Sequence, residues 1–351
     1  MGKVASKTWS RKAKWLALLA SAACSLSACS SGSPSPSAGS SPTSSQASPV
    51  PSTSTASGPT STGGPVVANT GIIVTGAFNT KPTVIFPKSG PPSQLVEQTI
   101  IAGSGTPVAS GDTVITNYIG EIWPAKVGAQ AKVFDSSFSR GSPTGLVIGT
   151  GAVIPGFDKT LVGKRLGTRI LLSIPPADGY GPSGNSQAGI SGTDTLVFVV
   201  DLLADYKPDA SAPGVVDNQL PATGWPKVTN IPGQQPQVTS VAGVSAPTSP
   251  ISKLLVKGSG ATIDPSKTLV LQLVQTDIAT GKQTQSSWGK QPQLANAQNV
   301  LSVATALNGQ NVGARAVVLV PATPAQPASS TAAAQPAMPP QILIIDVVGQ
   351  Y

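Results

Sequence analysis

Between Gly71 and Tyr206 the apolar residues fall into short runs cut by glycine and proline, and most of those runs are β-branched. Ile72-Ile73-Val74, Thr83-Val84-Ile85-Phe86, Leu95 to Ile101, Val114 to Ile119 and Arg169 to Ile174 each read as strands, the last stopped by Pro175-Pro176. Thr195 to Leu203 is the longest apolar run and predicts a central strand buried on both faces. One segment breaks the rule. Pro155 to Gly163 places Phe157, Leu161 and Val162 at helical spacing, with Pro-Gly at its start and Gly163 at its end. The pattern predicts an α+β module in which a twisted antiparallel sheet wraps around one short α-helix.

The same pattern returns further along the chain. Val162 to Pro175 aligns with Asn308 to Pro321, Val199 to Tyr206 with Ile344 to Tyr351, and Ile100 to Gly105 with Leu255 to Gly260. The expected organisation is therefore two modules of one ancestry, at 71–206 and 223–351, joined by a disordered linker at 207–222. Gly309, Gly313 and Pro321, which a fold needs at its turns and strand ends, persist in the second copy.

Composition accounts for the rest of the 351 residues. Ser30 to Thr70 is dominated by Ser, Pro, Thr, Gly and Ala with no charged residue, too poor in apolar surface to offset chain entropy. It is expected to form a disordered tether over 29–70, spanning about 35 Å root-mean-square if it behaves as a Gly/Ser-type coil. Residues 1–14 are basic, Trp15 to Ala23 are apolar, and small residues follow, as in a signal peptide covering 1–28. Leu26-Ser27-Ala28-Cys29 resembles a bacterial lipobox, which implies diacylation of Cys29 and a lipid anchor on the outer face of the cytoplasmic membrane or in the cell envelope. Ordinary secretion is the alternative. The five cations of the signal segment belong to the formal charge of +8, so the remaining chain carries only +3 and offers no basic stripe for nucleic acid. With no histidine, and with Cys24 and Cys29 as the only cysteines, His-dependent nucleophilic catalysis and His- or Cys-built metal sites are excluded.

Four of the six phenylalanines lie between Asp112 and Phe198. This stretch contains G-D-T-V-I-T-N-Y-I-G from Gly111, V-F-D-S-S-F from Val133, A-V-I-P-G-F-D-K from Ala152, D-G-Y-G from Asp178 and T-L-V-F-V-V-D-L-L from Thr195. In that order and spacing these motifs resemble the FKBP-type peptidyl-prolyl cis-trans isomerases, over roughly Gly71 to Tyr206. The resemblance implies two FKBP-like domains, the second degenerate, and an apolar pocket that needs no cofactor and no metal. It assigns Tyr118, Phe134, Asp135, Ile154, Tyr180 and Phe198 to catalysis, and Val153, Phe157, Leu146 and Ile190 to substrate binding. Within that set, Tyr180 would offer its hydroxyl and Ile154 its N–H to the substrate carbonyl, and Asp135 would be a buried or semi-buried rim carboxylate bonded to Tyr118. Thr144 departs from the family, where an aromatic is frequent, and the Trp123 to Lys132 loop is longer than the minimum.

The second module lacks this set. Leu273 stands for Tyr118, Thr284-Gln285 for Phe134-Asp135, Asn299-Val300 for Val153-Ile154, Val303 for Phe157 and Leu343 for Phe198. Taken singly, Phe134, Phe157 and Phe198 read more readily as core residues, and Asp135 reads also as a turn cap. Together, they imply an isomerase of X-Pro-containing polypeptides, which leaves macrolide binding open. The alternatives are a non-catalytic chaperone or binding module for unfolded or Pro-rich segments, and an envelope spacer.

Overall fold

A computed structural model describes residues 66–126, 128–216, 220–325 and 336–351. The expected signal peptide, Cys29 and nearly all of the tether lie outside the described residues. The described chain divides into two units. One comprises residues up to Asp209 together with Gly289–Pro292 and Tyr351, and the other comprises Ala210–Trp288 and Gln293–Gln350.

In the amino-terminal unit, β1 (Val66–Val67), β2 (Ile73–Thr75) and β3 (Thr83–Ile85) form a small antiparallel sheet. The main sheet is built from β4 (Val96–Ile101), β5 (Thr113–Ile122), β6 (Lys132–Ser136), β7 (Thr144–Val147), β8 (Arg169–Ile174) and β9 (Leu196–Tyr206). Its strand order is β4-β8-β9-β5-β6, and β7 also pairs with β5. Two short helices interrupt it, α1 (Ser137–Arg140) and α2 (Pro155–Leu161). The single expected helix is α2. The extra one, α1, is a turn capped by the Ser136 hydroxyl and closed by Gly141 at φ 71°, too short to leave a periodic apolar signature.

Because side chains alternate along a strand, β9 splits its residues between two cores. Phe198, Val200 and Leu202 pack with Tyr118, Phe157, Leu161, Ile170 and Leu172 under α2, while Val197 and Val199 join Ile119, Leu171 and Trp123 against Ala68, Ile72 and Val74 of the small-sheet segment. The run from Thr195 is thus buried on both faces. Residues ahead of Gly71 also belong to the fold, because β1 pairs with β2 and Ala68 is buried.

The carboxy-terminal unit contains β10 (Val215–Val216), β11 (Lys227–Thr229), β12 (Gln237–Ser240), β13 (Ile251–Lys257), β14 (Thr268–Asp277), β15 (Gln283–Ser286), β16 (Gln293–Asn296), α3 (Ala297–Val303), β17 (Arg315–Val320) and β18 (Gln341–Gln350). Its order is β10-β13-β17-β18-β14-β15, with β16 on β14, so β13 to β18 occupy the places of β4, β5, β6, β7, β8 and β9. Even the irregularities coincide. Register shifts at Thr99/Ile101, Ile115/Thr116 and Gly120/Glu121 recur at Leu254/Val256, Val270/Leu271 and Gln275/Thr276. The expectation of a disordered linker over 207–222 needs correction. Ser211 and Ala212 are buried against Asp346, and Val215–Val216 pair with Val256 and Lys257.

One buried ion pair recurs in each unit. Arg169 donates Nε and Nη2 to Asp201 at 2.6 Å each, and its other bonds run to the carbonyls of Gly76 and Thr80. Arg315 grips Asp346 at 2.6 and 2.8 Å and reaches the carbonyls of Ile231 and Gln234. In both units the guanidinium fixes an irregular loop over the sheet, satisfying backbone oxygens that burial would otherwise leave unpaired.

Candidate active site

The site grows from Gly120. A Cβ there would lie 2.8 Å from both Phe134 Cζ and Phe198 Cε1, so the missing side chain lets two rings converge on β5. Phe198 is their common partner. It meets Phe157 at 4.8 Å, Phe134 at 5.4 Å and Tyr118 at 6.0 Å between centroids, the first two edge to face. Tyr118, Phe157, Phe198 and Ile190 are buried, and Phe134, Leu146, Val153 and Ile154 are half-buried around them. Eight of the ten residues expected in the site therefore share one apolar cluster with its open side at these half-buried members.

A polar group closes one rim. The Tyr118 hydroxyl donates to Asp135 Oδ2 at 2.5 Å and accepts from Arg140 Nη2 at 3.0 Å, and Arg140 also pairs directly with Asp135. Burial pushes the Tyr118 phenol above its ordinary pKa, and its hydrogen bond to Asp135 adds to the rise. The Arg140 guanidinium also lies 5.4 Å from the Tyr118 ring centroid. Asp135 is at the rim with its side chain 39% exposed, at the less buried end of the expected range.

Arg140 was missed by sequence reasoning, although a signal existed. Asp135 and Arg140 are the only charges between Lys132 and Asp158. Arg140 also donates to Thr144 Oγ1 at 2.8 Å, so the threonine that replaces a frequent aromatic is drawn into the polar rim. Ser137 sets the strand beneath. Its hydroxyl accepts from the Tyr118 N–H at 2.8 Å and donates to Asn117 Oδ1 at 2.8 Å.

The opposite rim is the start of α2. Asp158 accepts from the N–H groups of Gly149 and Gly151 at 2.6 Å each, tying down the loop that leads to Val153 and Ile154. Ile154 is the N-cap residue, and Pro155 occupies the first helical turn. Among the described residues the Ile154 N–H has no hydrogen-bond acceptor, as the first N–H groups of a helix must lack one within it.

Tyr180 is placed differently from the rings. It is 37% exposed, sits between the short 3-10 turns Pro176–Asp178 and Gly181–Ser183, and takes no part in the aromatic contacts around Phe198. Its loop is linked to α2 by Lys159 and Asp178, 2.5 Å apart. Ile190 enters the cluster from the neighbouring loop, which is closed by paired backbone bonds between Asn185 and Ile190.

The carboxy-terminal unit fills the equivalent space with aliphatic groups. Leu273, Val303 and Leu343 all belong to its core, and Gln275 stands where Gly120 admits two rings. Ser287 repeats the Ser137 support, accepting from the Leu273 N–H at 2.8 Å and donating to Gln272. The scaffold of the site is present there, and its rings are not.

A family model for FKBP-type peptidyl-prolyl cis-trans isomerases matches residues 105–203. The FK506-binding protein of Streptomyces anulatus is 36% identical over 124 residues, which cover 35% of this chain and 96% of that protein. FK506-binding protein 1 of Aspergillus oryzae is 42% identical over 113 residues, covering 31% of this chain and 96% of that protein. The FKBP-type peptidyl-prolyl cis-trans isomerase FkpA of Escherichia coli K12 is 39% identical over 125 residues, covering 34% of this chain but 43% of its own length. The chain thus spans less than half of the E. coli relative.

Proposed function

The chain belongs to the family of FKBP-type peptidyl-prolyl cis-trans isomerases, and on that premise we propose that its amino-terminal unit catalyses rotation of X-Pro bonds in the cleft around Phe198. The barrier is about 18–20 kcal/mol because amide resonance must be broken, whereas the cis and trans minima differ by only about 0.5–1 kcal/mol. Twisting the bond localises the nitrogen lone pair and weakens the carbonyl dipole. An apolar wall therefore favours the twisted amide over the planar one, and no proton needs to move. Phe157, Phe198, Phe134 and Ile190 supply that wall. The open Ile154 N–H and the exposed Tyr180 hydroxyl are the donors available to a substrate carbonyl, while Tyr118 is committed to Asp135.

The observation that carries this reading is the ring cluster over Gly120, retained in one unit and replaced by Leu273, Val303, Leu343 and Gln275 in the other. A protease-coupled assay on an Ala-Leu-Pro-Phe peptide tests it, with Phe198→Leu importing the residue of the second unit. The parent should accelerate isomerisation and the variant should lose at least about tenfold in kcat/KM, or ~1.4 kcal/mol. Activity of the parent equal to buffer refutes it.

We propose further that the carboxy-terminal unit is a degenerate FKBP-like domain without turnover, and that the Cys29 lipid anchor holds the enzyme at the outer face of the cytoplasmic membrane or in the cell envelope. Its substrates would be exported proteins, whose uncatalysed X-Pro steps take tens of seconds. A macrolide such as FK506, for which two of the relatives are named, would compete for the same cleft. Exposed Ile231, Ile251 and Leu294 in the carboxy-terminal unit favour a second reading, a holding function for unfolded segments. Loss of aggregation suppression on removing residues 210–351 would support that reading.

A further inference from the structure

We infer that a groove on the other face of the β5 strand is a second polypeptide site, in which Glu121 receives the basic side chain of an extended segment. Tyr118 and Gly120 face the aromatic cleft, so Ile119 and Glu121 face away from it. There the groove runs between the Val84–Ser89 region and the stretches 123–126 and 128–133, and encloses about 620 Å³. Phe86, Pro87, Glu121, Trp123, Lys126 and Asp194 contribute to its lining.

Glu121 is the unusual member. It is 8% exposed, and its Oε2 is buried without a hydrogen-bond partner among the described residues. Burial pushes its carboxyl up from the ordinary range, a shift opposed by the charge of Lys81. Neither Lys81 nor Lys126 forms an ion pair with it. A lone buried carboxylate of this kind costs stability until a donor of opposite charge reaches it. An incoming ammonium or guanidinium supplies both the donor and the charge, with Asp194 as a second carboxylate in the same groove.

The walls suit an extended chain. Phe86 and Trp123 stand edge to face at 5.2 Å, and Ile85 and Val133 expose apolar side chains, at 51% and 46%. Strands β3 and β6, which carry Ile85 and Val133, are both edge strands of their sheets. Their unpaired backbone groups can accept an added strand, while the basic side chain points in to Glu121. The groove thus offers an enzyme of polypeptides a hold on basic segments that is separate from its cleft.

The test uses the full chain and the peptides Ac-Val-Lys-Val-NH2 and Ac-Val-Gln-Val-NH2, followed by amide shifts of Glu121, Gly128 and Asp194 and by the Trp123 indole N–H. The lysine peptide should shift these signals saturably, at least tenfold more tightly than the glutamine peptide. Glu121→Gln should abolish that difference while leaving turnover of the tetrapeptide unchanged. Free n-butylammonium should bind more weakly than the lysine peptide. Equal binding of the two peptides, shifts confined to residues around Phe198, or n-butylammonium binding as tightly as the peptide would each overturn the inference. If Glu121→Gln failed to fold, the lysine and glutamine comparison on the parent chain decides alone.

Discussion

Asp135 contacts both Tyr118 and Arg140 at the rim, and is expected to matter more to them than to the stability of the fold. Its ion pair with Arg140 is exposed at 39% and 44%, so Asp135→Val is expected to cost no more than about 1 kcal/mol in a urea titration. The same change releases the Tyr118 hydroxyl and Arg140 together, and kcat/KM should fall by about tenfold, or ~1.4 kcal/mol. A large loss of stability with intact turnover would reverse that assignment. Glu121 gives the opposite signature. Its folded pKa is raised, so its contribution to stability is present below the unfolded value of 4.5 and is lost as pH rises through the folded value. Glu121→Gln, which cannot ionise, should match the parent at low pH and melt above it at neutral pH. Thermal melts across that range check the crossover, and a variant less stable than the parent at pH 7 would contradict it.

At the scale of elements, each main sheet is clamped by its own arginine. Arg169→Ala would leave Asp201 buried and uncompensated, with Asn79 as its remaining backbone donor at 2.8 Å. The expected cost is about 3–5 kcal/mol. Hydrogen exchange should localise the loss to β8, β9 and the Gly76 to Thr80 loop, where Asn79 is held at a φ of 61°. Full protection of that loop in the variant would show the clamp to be dispensable. The loop is irregular, and its carbonyls have Arg169 in place of a neighbouring strand. The same logic applies to Arg315, which secures the stretch around Ile231 and Gln234.

For the whole molecule, the two units share strand order and bulges, but the ring cluster is described in the amino-terminal one. Full-length protein carrying Phe198→Leu should have no second activity to fall back on, since Leu273, Val303 and Leu343 leave the other unit without a ring cluster. Residual turnover that a further Phe157→Ala change in the same chain failed to lower would locate an activity in the second unit. Cys29→Ser should move the protein from the membrane fraction to the medium or soluble envelope fraction and end its labelling by palmitate. Retention of the label would place the lipid elsewhere. A single acyl chain binds membranes only marginally, so the two chains expected on Cys29 matter to this result.

Much of the fold was legible because strand and helix patterns are local. Alternation and run length placed Arg169 to Ile174 and the doubly buried strand, and one chain laid under itself paired Tyr118 with Leu273 and Phe198 with Leu343. The structure retains that pairing, with Tyr118 opposite Val200 and Leu273 opposite Ile345. Short segments escaped: α1 has four residues, and β10 has two, inside what composition marked as a linker. The site divided along the same line. Rings concentrated in one stretch announced an apolar cleft, but Arg140 joined Tyr118 only through a turn that no periodicity records. Tyr180 stayed outside the ring cluster, on a loop that Asp178 ties to Lys159, a pair 19 residues apart. The sequence by itself determined which residues are apolar, at what period, and where the pattern repeats. Only the tertiary structure decided which charges are buried and with what partner, because desolvation and ion pairing depend on what packs against a residue from distant parts of the chain. Arg169 meets Asp201 across 32 positions, and Glu121 Oε2 has no hydrogen-bond partner among the described residues.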